Sequence, residues 1–238
     1  MPPVLSPRDR LIVAFDTADS ASALEHASRL ADHIAVAKIG LELFTAAGPN
    51  IVRDFRTKFP QLQIFLDLKL HDIPNTMRGA IRAAKHLGVR WITVHAGSGI
   101  DHLRACVEEA GEDLGILAVT VLTSQDAVSC RQAGHTRSPS ELVEIRAECA
   151  ARSGCTGVVC SGHELVRIAS ICPDLFRIVP GIRPRAESQH DQKRVMNPTD
   201  AMANGATHLV VGRPILHASD PVSAANSIVE EIAVVLPS

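Results

Sequence analysis

The stretch Gln63-Ile64-Phe65-Leu66-Asp67-Leu68-Lys69-Leu70 decides how the rest of this chain is interpreted. It begins as the apolar run that is typical of a parallel strand covered on both faces, and then it carries the charged Asp67 and Lys69. Because side chains alternate along a strand, these two are predicted to lie side by side on one face. A buried charge is costly unless it is paired. The pattern therefore indicates either a structural salt bridge at a strand end or an ion array in an active site.

Short apolar runs recur along the whole chain, with helical segments between them. This alternation is typical of successive βαβ units and a parallel sheet. Eight such units in 238 residues predict an α/β protein with a (β/α)8 barrel, a TIM barrel formed as a single domain over residues 1–238. An open doubly wound sheet is the alternative. The predicted strands, with one helix in each gap, are Leu11–Asp16, Ile34–Gly40, Ile64–Lys69, Trp91–His95, Gly115–Leu122, Gly157–Cys160, Phe176–Pro180 and His208–Val211.

Several helix ends carry recognisable capping residues. Thr76 is predicted to cap a helix that ends at Gly88. The dipeptide Ser138-Pro139 is followed by a glutamate in the position that a capping box requires. Asn197-Pro198 and Asp220-Pro221 repeat the pattern of a cap followed by proline.

The bulk composition excludes several classes of function. A formal net charge of -2 and 3% aromatic residues argue against a nucleic-acid-binding protein, which needs a basic surface or stacking platforms. The six cysteines form no Cys-x-x-Cys motif, which predicts reduced, buried thiols. The N-terminal residues resemble no signal peptide and no apolar run is long enough to span a bilayer, so we expect a cytoplasmic protein without a membrane segment.

Polar residues collect where the predicted strands end, which is where a barrel of this kind places its catalytic groups. An asymmetry of this kind is difficult to explain by folding alone. The residues at or just beyond the strand ends are Asp16, Lys38, Asp67, Lys69, His95, Thr123-Ser124, Gly181-Ile182-Arg183 and Gly212-Arg213.

The last two of these segments predict a phosphate site. Loops after strands seven and eight often bind phosphate in such barrels. Glycine allows close approach of backbone N–H groups, and arginine offers a planar fork to phosphate oxygens. The alternative is a pair of ordinary turns with solvated arginines. The polar loop from Arg183 to Arg194, which contains Gln192, is long enough to close over a bound phosphate.

Asp72 lies five residues beyond Asp67, past the predicted end of the strand and next to Ile73-Pro74. The residue before a proline is restricted to extended conformations, so the chain direction is set there. Asp72 therefore need not point into its own barrel, and it is placed to reach across a dimer interface.

Taken together, these motifs resemble the orotidine 5'-phosphate decarboxylase family, in its bacterial form. The resemblance extends over nearly the whole chain, and the run from Asp67 to Thr76 is its most specific part. It implies a homodimer that converts orotidine 5'-phosphate to UMP in pyrimidine nucleotide synthesis, without cofactor or metal. The segments that carry it are Val13–Asp16, Lys38–Gly40, Asp67–Thr76, Val121–Ser124, Pro180–Pro184, Asp191-Gln192 and Val210–Ile215.

The resemblance also implies a role for each site residue. Lys69 would protonate C6 of the pyrimidine, with Asp67 beside the departing carboxylate. The ribose would be held by Asp16 and Lys38, and Lys38 would also join the charged array. The partner subunit's site would receive Asp72, Ile73 and Thr76, and the pyrimidine would be contacted by Thr123 and Ser124. The phosphate would be held by Arg183, Gln192, Gly212 and Arg213.

Two other functions remain open at this point. Related sugar-phosphate decarboxylases and aldolases share the Asp-x-Lys-x-x-Asp motif but use Mg²⁺, and they carry a carboxylate where this chain has Lys38. An ammonium there would repel a metal ion. The second alternative is a non-catalytic barrel that binds a phosphorylated ligand, although binding alone would not require alternating charges.

Overall fold

The computed structural model describes residues 5–184 and 196–236. In this part of the chain, eight parallel strands close into a barrel in their order along the sequence. The predicted (β/α)8 barrel is therefore confirmed, and an open sheet is excluded. The strands are Leu11–Ala14 (β1), Val36–Gly40 (β2), Gln63–Leu70 (β3), Trp91–His95 (β4), Gly115–Val119 (β5), Gly157–Val159 (β6), Phe176–Val179 (β7) and His208–Val211 (β8).

Helices cover the outside of the barrel, and among the described residues two gaps between strands hold two α-helices where one was expected. These are the gaps that follow β2 and β5. The α-helices of the described residues are Ser20–Leu30 (α1), Leu41–Ala47 (α2), Asn50–Lys58 (α3), Pro74–Leu87 (α4), Ile100–Ala110 (α5), Ala127–Gln132 (α6), Pro139–Arg152 (α7), Leu165–Ile171 (α8), Pro198–Ala203 (α9), Arg213–Leu216 (α10) and Pro221–Ala233 (α11). Short 3-10 helices occupy Arg8–Arg10, Ala96–Ser98 and Gly162–Glu164. None of the helices in residues 5–184 and 196–236 could span a bilayer.

Most of the predicted helix ends are confirmed. Ser138 forms a reciprocal capping box at the start of α7, and the side chains of Asn197 and Asp220 cap α9 and α11. The prediction for Thr76 is wrong. Helix α4 begins at Pro74 after an extended Ile73, because proline at the first position is already set for the helix. Thr76 therefore lies within the first turn of α4.

Two separate apolar clusters form the core. The larger one fills the space between the strands and the surrounding helices. The smaller one fills the barrel interior as a plug, in which Phe65 and Trp91 meet edge to face at 6.3 Å between ring centroids. Its buried members are Ile12, Ala14, Val36, Phe65, Trp91, Leu117, Ile178 and Val210.

The polar side chains of the predicted site lie directly above this apolar plug, towards the carboxyl ends of the strands. Inward-facing residues alternate along each strand, so the residue two positions beyond a plug member also faces the barrel interior. On β2, β3 and β4 these residues are Lys38, Asp67 and Thr93. Thus the apolar half of each strand supports the polar end, and water is kept away from the polar groups on that side.

The six cysteines are unpaired, and all but Cys149 are buried. Burial raises the pKa of the Cys155 and Cys160 thiols to about 12, which keeps them protonated and unreactive. The predicted reduced, buried thiols are confirmed for five of the six residues.

Two glycines of the same helix should respond oppositely to alanine. Gly88 ends α4 with a left-handed φ of 66°, and a Cβ there would overlap the Arg56 guanidinium. Gly79 lies inside α4, and a Cβ there would meet nothing within 4 Å. We expect Gly88→Ala to lower the free energy of unfolding by about 1 kcal/mol or more. Gly79→Ala should raise it by roughly 0.5–1 kcal/mol. Urea unfolding midpoints measure both, and equal shifts of one sign would contradict the prediction.

Candidate active site

Four charged side chains form an alternating row at the mouth of the barrel. The Lys69 ammonium donates to both oxygens of the Asp67 carboxylate, each at 2.9 Å. Lys38 Nζ lies 3.5 Å from Asp67 Oδ2 and 2.8 Å from Asp16 Oδ1. The row therefore runs Asp16, Lys38, Asp67, Lys69, and each carboxylate has an ammonium beside it. The side chains of Lys38 and Asp67 are only 8% and 13% exposed, so their interaction is weakly screened by water.

Asp67 remains ionised in this environment. Burial by itself raises the pKa of the Asp67 carboxyl, but the ammonium groups of Lys38 and Lys69 and two hydrogen bonds outweigh that effect. The pKa of Asp67 therefore lies below its ordinary value. The structure holds a fixed negative charge between two positive charges inside the barrel.

The backbone at Lys69 departs from a regular strand. Lys69 has a φ of 50°, the one positive φ at a non-glycine position among the described residues. The pairing of β3 with β4 is also irregular between Leu66 and Leu70. Asp67 and Lys69 are in contact as predicted, but simple alternation is not the reason. An irregularity of the bulge type turns the backbone and aims the lysine at the carboxylate.

The sequence interpretation missed Thr93. Its side-chain oxygen accepts the Lys69 backbone N–H at 2.8 Å and donates to Asp67 Oδ1 at 2.9 Å. Thr93 is fully buried in the middle of β4. The sequence feature that could have identified Thr93 is its polar side chain within the apolar run Trp91–His95.

Gly40 leaves the space that the row needs. A Cβ at position 40 would lie 2.5 Å from Asp16 Oδ1 and 2.8 Å from Lys38 Nζ. Any side chain at position 40 would therefore separate the Asp16–Lys38 pair. Glycine is required here by close approach, because its φ of -89° is open to other residues.

A cavity of about 550 Å³ opens above the row, within the usual range for small-molecule sites. It brings together predicted residues from the ends of six strands, β1, β2, β3, β5, β7 and β8. Gly181 enters it with a φ of 79°, which glycine adopts readily. The predicted site residues that line the cavity are Asp16, Lys38, Asp67, Lys69, Thr123, Arg183, Gly212 and Arg213.

Four predicted residues do not line the cavity of their own chain. Ser124 is exposed beside it, and Asp72, Ile73 and Thr76 are exposed at the start of α4. Asp72 Oδ1 accepts the adjacent Ile73 N–H at 2.7 Å. Gln192, with most of the loop that contains it, lies outside the described residues.

Other lining residues were not predicted. Leu41 and Glu42 follow Gly40 directly, and His217 follows α10. These residues lie close to the ends of β2 and β8 in the sequence, and this position could have identified them as candidates. Leu41 is 59% exposed, so an apolar side chain stands open at the cavity mouth.

His95 lies at the end of β4, where its ring centroid is 5.4 Å from that of His71. Burial lowers the pKa of His95, and the nearby His71 and Lys69 lower it further. In residues 5–184 and 196–236, no three His, Cys, Asp or Glu side chains are placed to hold a metal ion together.

The lowered pKa of Asp67 predicts how stability depends on pH. A carboxyl whose folded pKa is depressed adds stability above its unfolded pKa of about 3.9, and this is lost as the pH falls through the folded value. We therefore expect the wild-type chain to gain stability over Asp67→Asn as the pH rises through about 3–5. Each pKa unit of depression corresponds to about 1.4 kcal/mol. Urea unfolding of both proteins from pH 3 to 7 measures the difference.

Asp101→Asn is the matched control, because the Asp101 side chain is 92% exposed. This exchange should change the free energy of unfolding by less than about 0.5 kcal/mol throughout. A wild-type advantage over Asp67→Asn that grows as the pH falls would refute the assignment.

Comparison with known proteins places this chain in one family. The sequence model of the orotidine 5'-phosphate decarboxylase / HUMPS family matches residues 9–228. The chain is 44% identical over 234 residues to an orotidine 5'-phosphate decarboxylase of Bradyrhizobium sp. (strain BTAi1), covering 98% of this chain and 95% of that protein. It is 42% identical over 226 residues to that of Anaeromyxobacter dehalogenans (strain 2CP-1), covering 94% and 98%.

A solved structure agrees with these sequence relatives. The crystal structure of orotidine 5'-phosphate decarboxylase from Lactobacillus acidophilus matches with a TM-score of 0.83 at 33% identity, covering 94% of this chain and 99% of that one. Similarity of sequence and of fold thus extends over nearly the full length of the chain. The chain belongs to the orotidine 5'-phosphate decarboxylase family.

Proposed function

We propose that this protein decarboxylates orotidine 5'-phosphate to UMP in pyrimidine nucleotide synthesis, without a metal or an organic cofactor. One observation carries the proposal beyond family membership. The cavity that contains the alternating row of charges is also lined by the two glycine–arginine segments after β7 and β8. A nucleoside monophosphate with a reacting carboxylate needs both features in one site.

The reaction breaks the bond between C6 of the pyrimidine and its carboxylate, and the electron pair stays on C6. This carbanion lies in the plane of the ring, where the π system cannot delocalise it, so the protein has to stabilise the charge. We assign this role to the Lys69 ammonium, which then transfers a proton to C6. CO2 leaves, and the neutral lysine regains a proton from solvent.

The size of this effect can be estimated. Two unit charges at 4 Å interact by roughly 4 kcal/mol at an effective dielectric near 20. Since about 1.4 kcal/mol corresponds to a tenfold change in rate, the Lys69 charge contributes on the order of a thousandfold. The remainder has to come from the rest of the row and from binding of the phosphate.

Asp67 has two candidate roles, which are repulsion of the substrate carboxylate and positioning of Lys69. Both carboxylate oxygens of Asp67 are hydrogen-bonded to Lys69 Nζ. This geometry supports the positioning role, because it fixes the ammonium before substrate arrives.

The Mg²⁺-dependent alternative is disfavoured by the charges around Asp67. A carboxylate that coordinates a metal has to turn its oxygens to the ion, whereas those of Asp67 face Lys38 and Lys69. Lys38 Nζ also stands beside Asp16, the other carboxylate of the row. Two ammonium groups at these distances would repel a divalent cation.

We propose further that the enzyme acts as a homodimer in which Asp72, Ile73 and Thr76 reach the partner's cavity. Two observations support this. These residues lie outside the cavity of their own chain, and Ile73 is 66% exposed, which is unusual for isoleucine. Unpaired cysteines support a reducing compartment such as the cytoplasm.

The direct test follows the absorbance of orotidine 5'-phosphate with and without EDTA. We expect the wild-type protein to form UMP at the same rate in both. Lys69→Ala should lose at least about a thousandfold in kcat while remaining folded. Lys58→Ala, at an exposed lysine at the end of α3, is the control and should retain full activity.

Three outcomes would contradict the proposal. Near-normal turnover by folded Lys69→Ala would show that Lys69 is not the proton donor. Loss of turnover in the presence of EDTA would indicate a metal-dependent reaction. Absence of turnover by folded wild-type protein would favour the sugar-phosphate alternative, which ketose phosphates with Mg²⁺ would then test.

A mixing experiment tests the shared site. Lys69→Ala and Asp72→Ala should each be inactive alone. If Asp72 acts in the partner's cavity, each mixed dimer has one intact site, and random exchange of subunits restores about a quarter of wild-type activity. If Asp72 acts within its own subunit, mixing restores nothing. Activity assays before and after subunit exchange distinguish the two results.

A further inference from the structure

We propose that Thr93 is a positioning residue that sets the geometry between Lys69 and Asp67. Its hydroxyl joins the backbone of the lysine to the carboxylate of the aspartate. This inference rests on the proposed function, because it concerns how the two groups are arranged for that reaction.

The first support is the pairing between strands β3 and β4. Regular pairing ends at Leu66 with Ile92 and resumes at Leu70 with Val94. Over this interval β3 advances four residues while β4 advances two. Thr93 is the residue of β4 inside the gap, and its side-chain oxygen takes the place of a backbone acceptor for the Lys69 N–H.

The second support is the direction of the hydrogen bonds. A hydroxyl has one proton and two lone pairs, and an ionised carboxylate only accepts. Because Thr93 accepts from the Lys69 N–H, its proton is available to Asp67 Oδ1. Only one orientation of the hydroxyl satisfies both partners, so the three groups are held in a fixed relation.

The third support is the backbone of Lys69. A φ of 50° is unfavourable for a residue with a Cβ. Such a conformation persists only where the surroundings determine it. Thr93 is rigid, because it is fully buried and β-branched within β4. It therefore holds the turn that points the Lys69 side chain back at the carboxylate.

Other charged groups near Asp67 have to be considered for any pH effect. Lys38 faces it from β2, Lys69 from β3, and Asp16 is linked to it through Lys38. His95 is the titratable neighbour on β4. All of these groups are still present in a Thr93 variant, so a shift in the pH profile reports the lost hydroxyl and the Lys69–Asp67 geometry that it holds.

The test compares three variants of the whole protein. Thr93→Val removes the hydroxyl at nearly constant shape, and Thr93→Ser retains it. Thr207→Val is the matched control. The Thr207 hydroxyl also accepts a backbone N–H from a neighbouring strand, that of Arg177 at 2.8 Å. Thr207 immediately precedes β8, at the opposite end of the barrel from the cavity.

We expect kcat of Thr93→Val to fall at least about tenfold, which corresponds to ~1.4 kcal/mol, with KM changed less than about threefold. The acid limb of kcat/KM should move to higher pH, because a lost donor raises the pKa of a carboxyl. Thr93→Ser should restore both properties. Thr207→Val should leave kcat and the pH profile at the wild-type values.

Hydrogen exchange at the Lys69 amide provides a readout that does not require turnover. It should accelerate in Thr93→Val and not in Thr207→Val. If Thr93→Val does not fold, Thr93→Cys replaces it, because a thiol is a weak donor and acceptor. For Thr93→Cys we then expect the same changes in kcat, in the acid limb and in Lys69 amide exchange, but smaller ones.

The outcomes separate this inference from the proposed function. A wild-type protein that does not convert orotidine 5'-phosphate overturns both. An active wild-type protein whose Thr93→Val variant keeps its kcat, acid limb and Lys69 amide protection overturns the positioning role alone. A fall in kcat that Thr93→Ser does not restore also overturns it, since packing rather than the hydroxyl would then be responsible.

Discussion

The carboxylate of Asp67 is held between two ammonium groups inside the barrel, and the rest of the site depends on this interaction. An ionised carboxylate in such a place has a large desolvation penalty, which only close and well-directed charges offset. Lys69 contacts both of its oxygens, and Lys38 approaches from the neighbouring strand. Removing either lysine would leave the buried Asp67 carboxylate with one ammonium group instead of two. The row is therefore a unit, and its members are not independent contributions.

The backbone departs from regular geometry in order to hold this unit. At Lys69 the strand adopts a left-handed conformation, and the ladder to β4 is interrupted. At Gly40 the strand gives up a side chain so that Asp16 and Lys38 can meet. Both are local costs that a strand selected only for stability would avoid. Their concentration at the mouth of one cavity is typical of a functional site.

Closure of the barrel joins the charged row to the predicted phosphate site. Strand β1 pairs with β2 on one side and with β8 on the other. The segment after β8 consequently lies against the end of β1, where a Cβ on Gly212 would be 3.4 Å from the Ala14 carbonyl oxygen. Asp16 lies two residues after Ala14 in the sequence. Residues nearly 200 positions apart in sequence thus line the same cavity.

The sequence by itself predicted the βα units and favoured a barrel, because apolar runs alternate with helical segments eight times along the chain. Closure of the eight strands, rather than an open doubly wound sheet, was decided by the tertiary structure. The sequence also identified Asp16, Lys38, Asp67 and Lys69, since charges at the ends of buried strands are costly and therefore conspicuous. Only the tertiary structure decided the left-handed turn at Lys69, the role of Thr93 as its partner and the need for glycine at position 40. Each of these depends on an atom of a neighbouring strand, and the distance between strands is not encoded in local periodicity. The start of α4 differs from the prediction for a local reason, because Pro74 at the first helical position begins the helix two residues before Thr76.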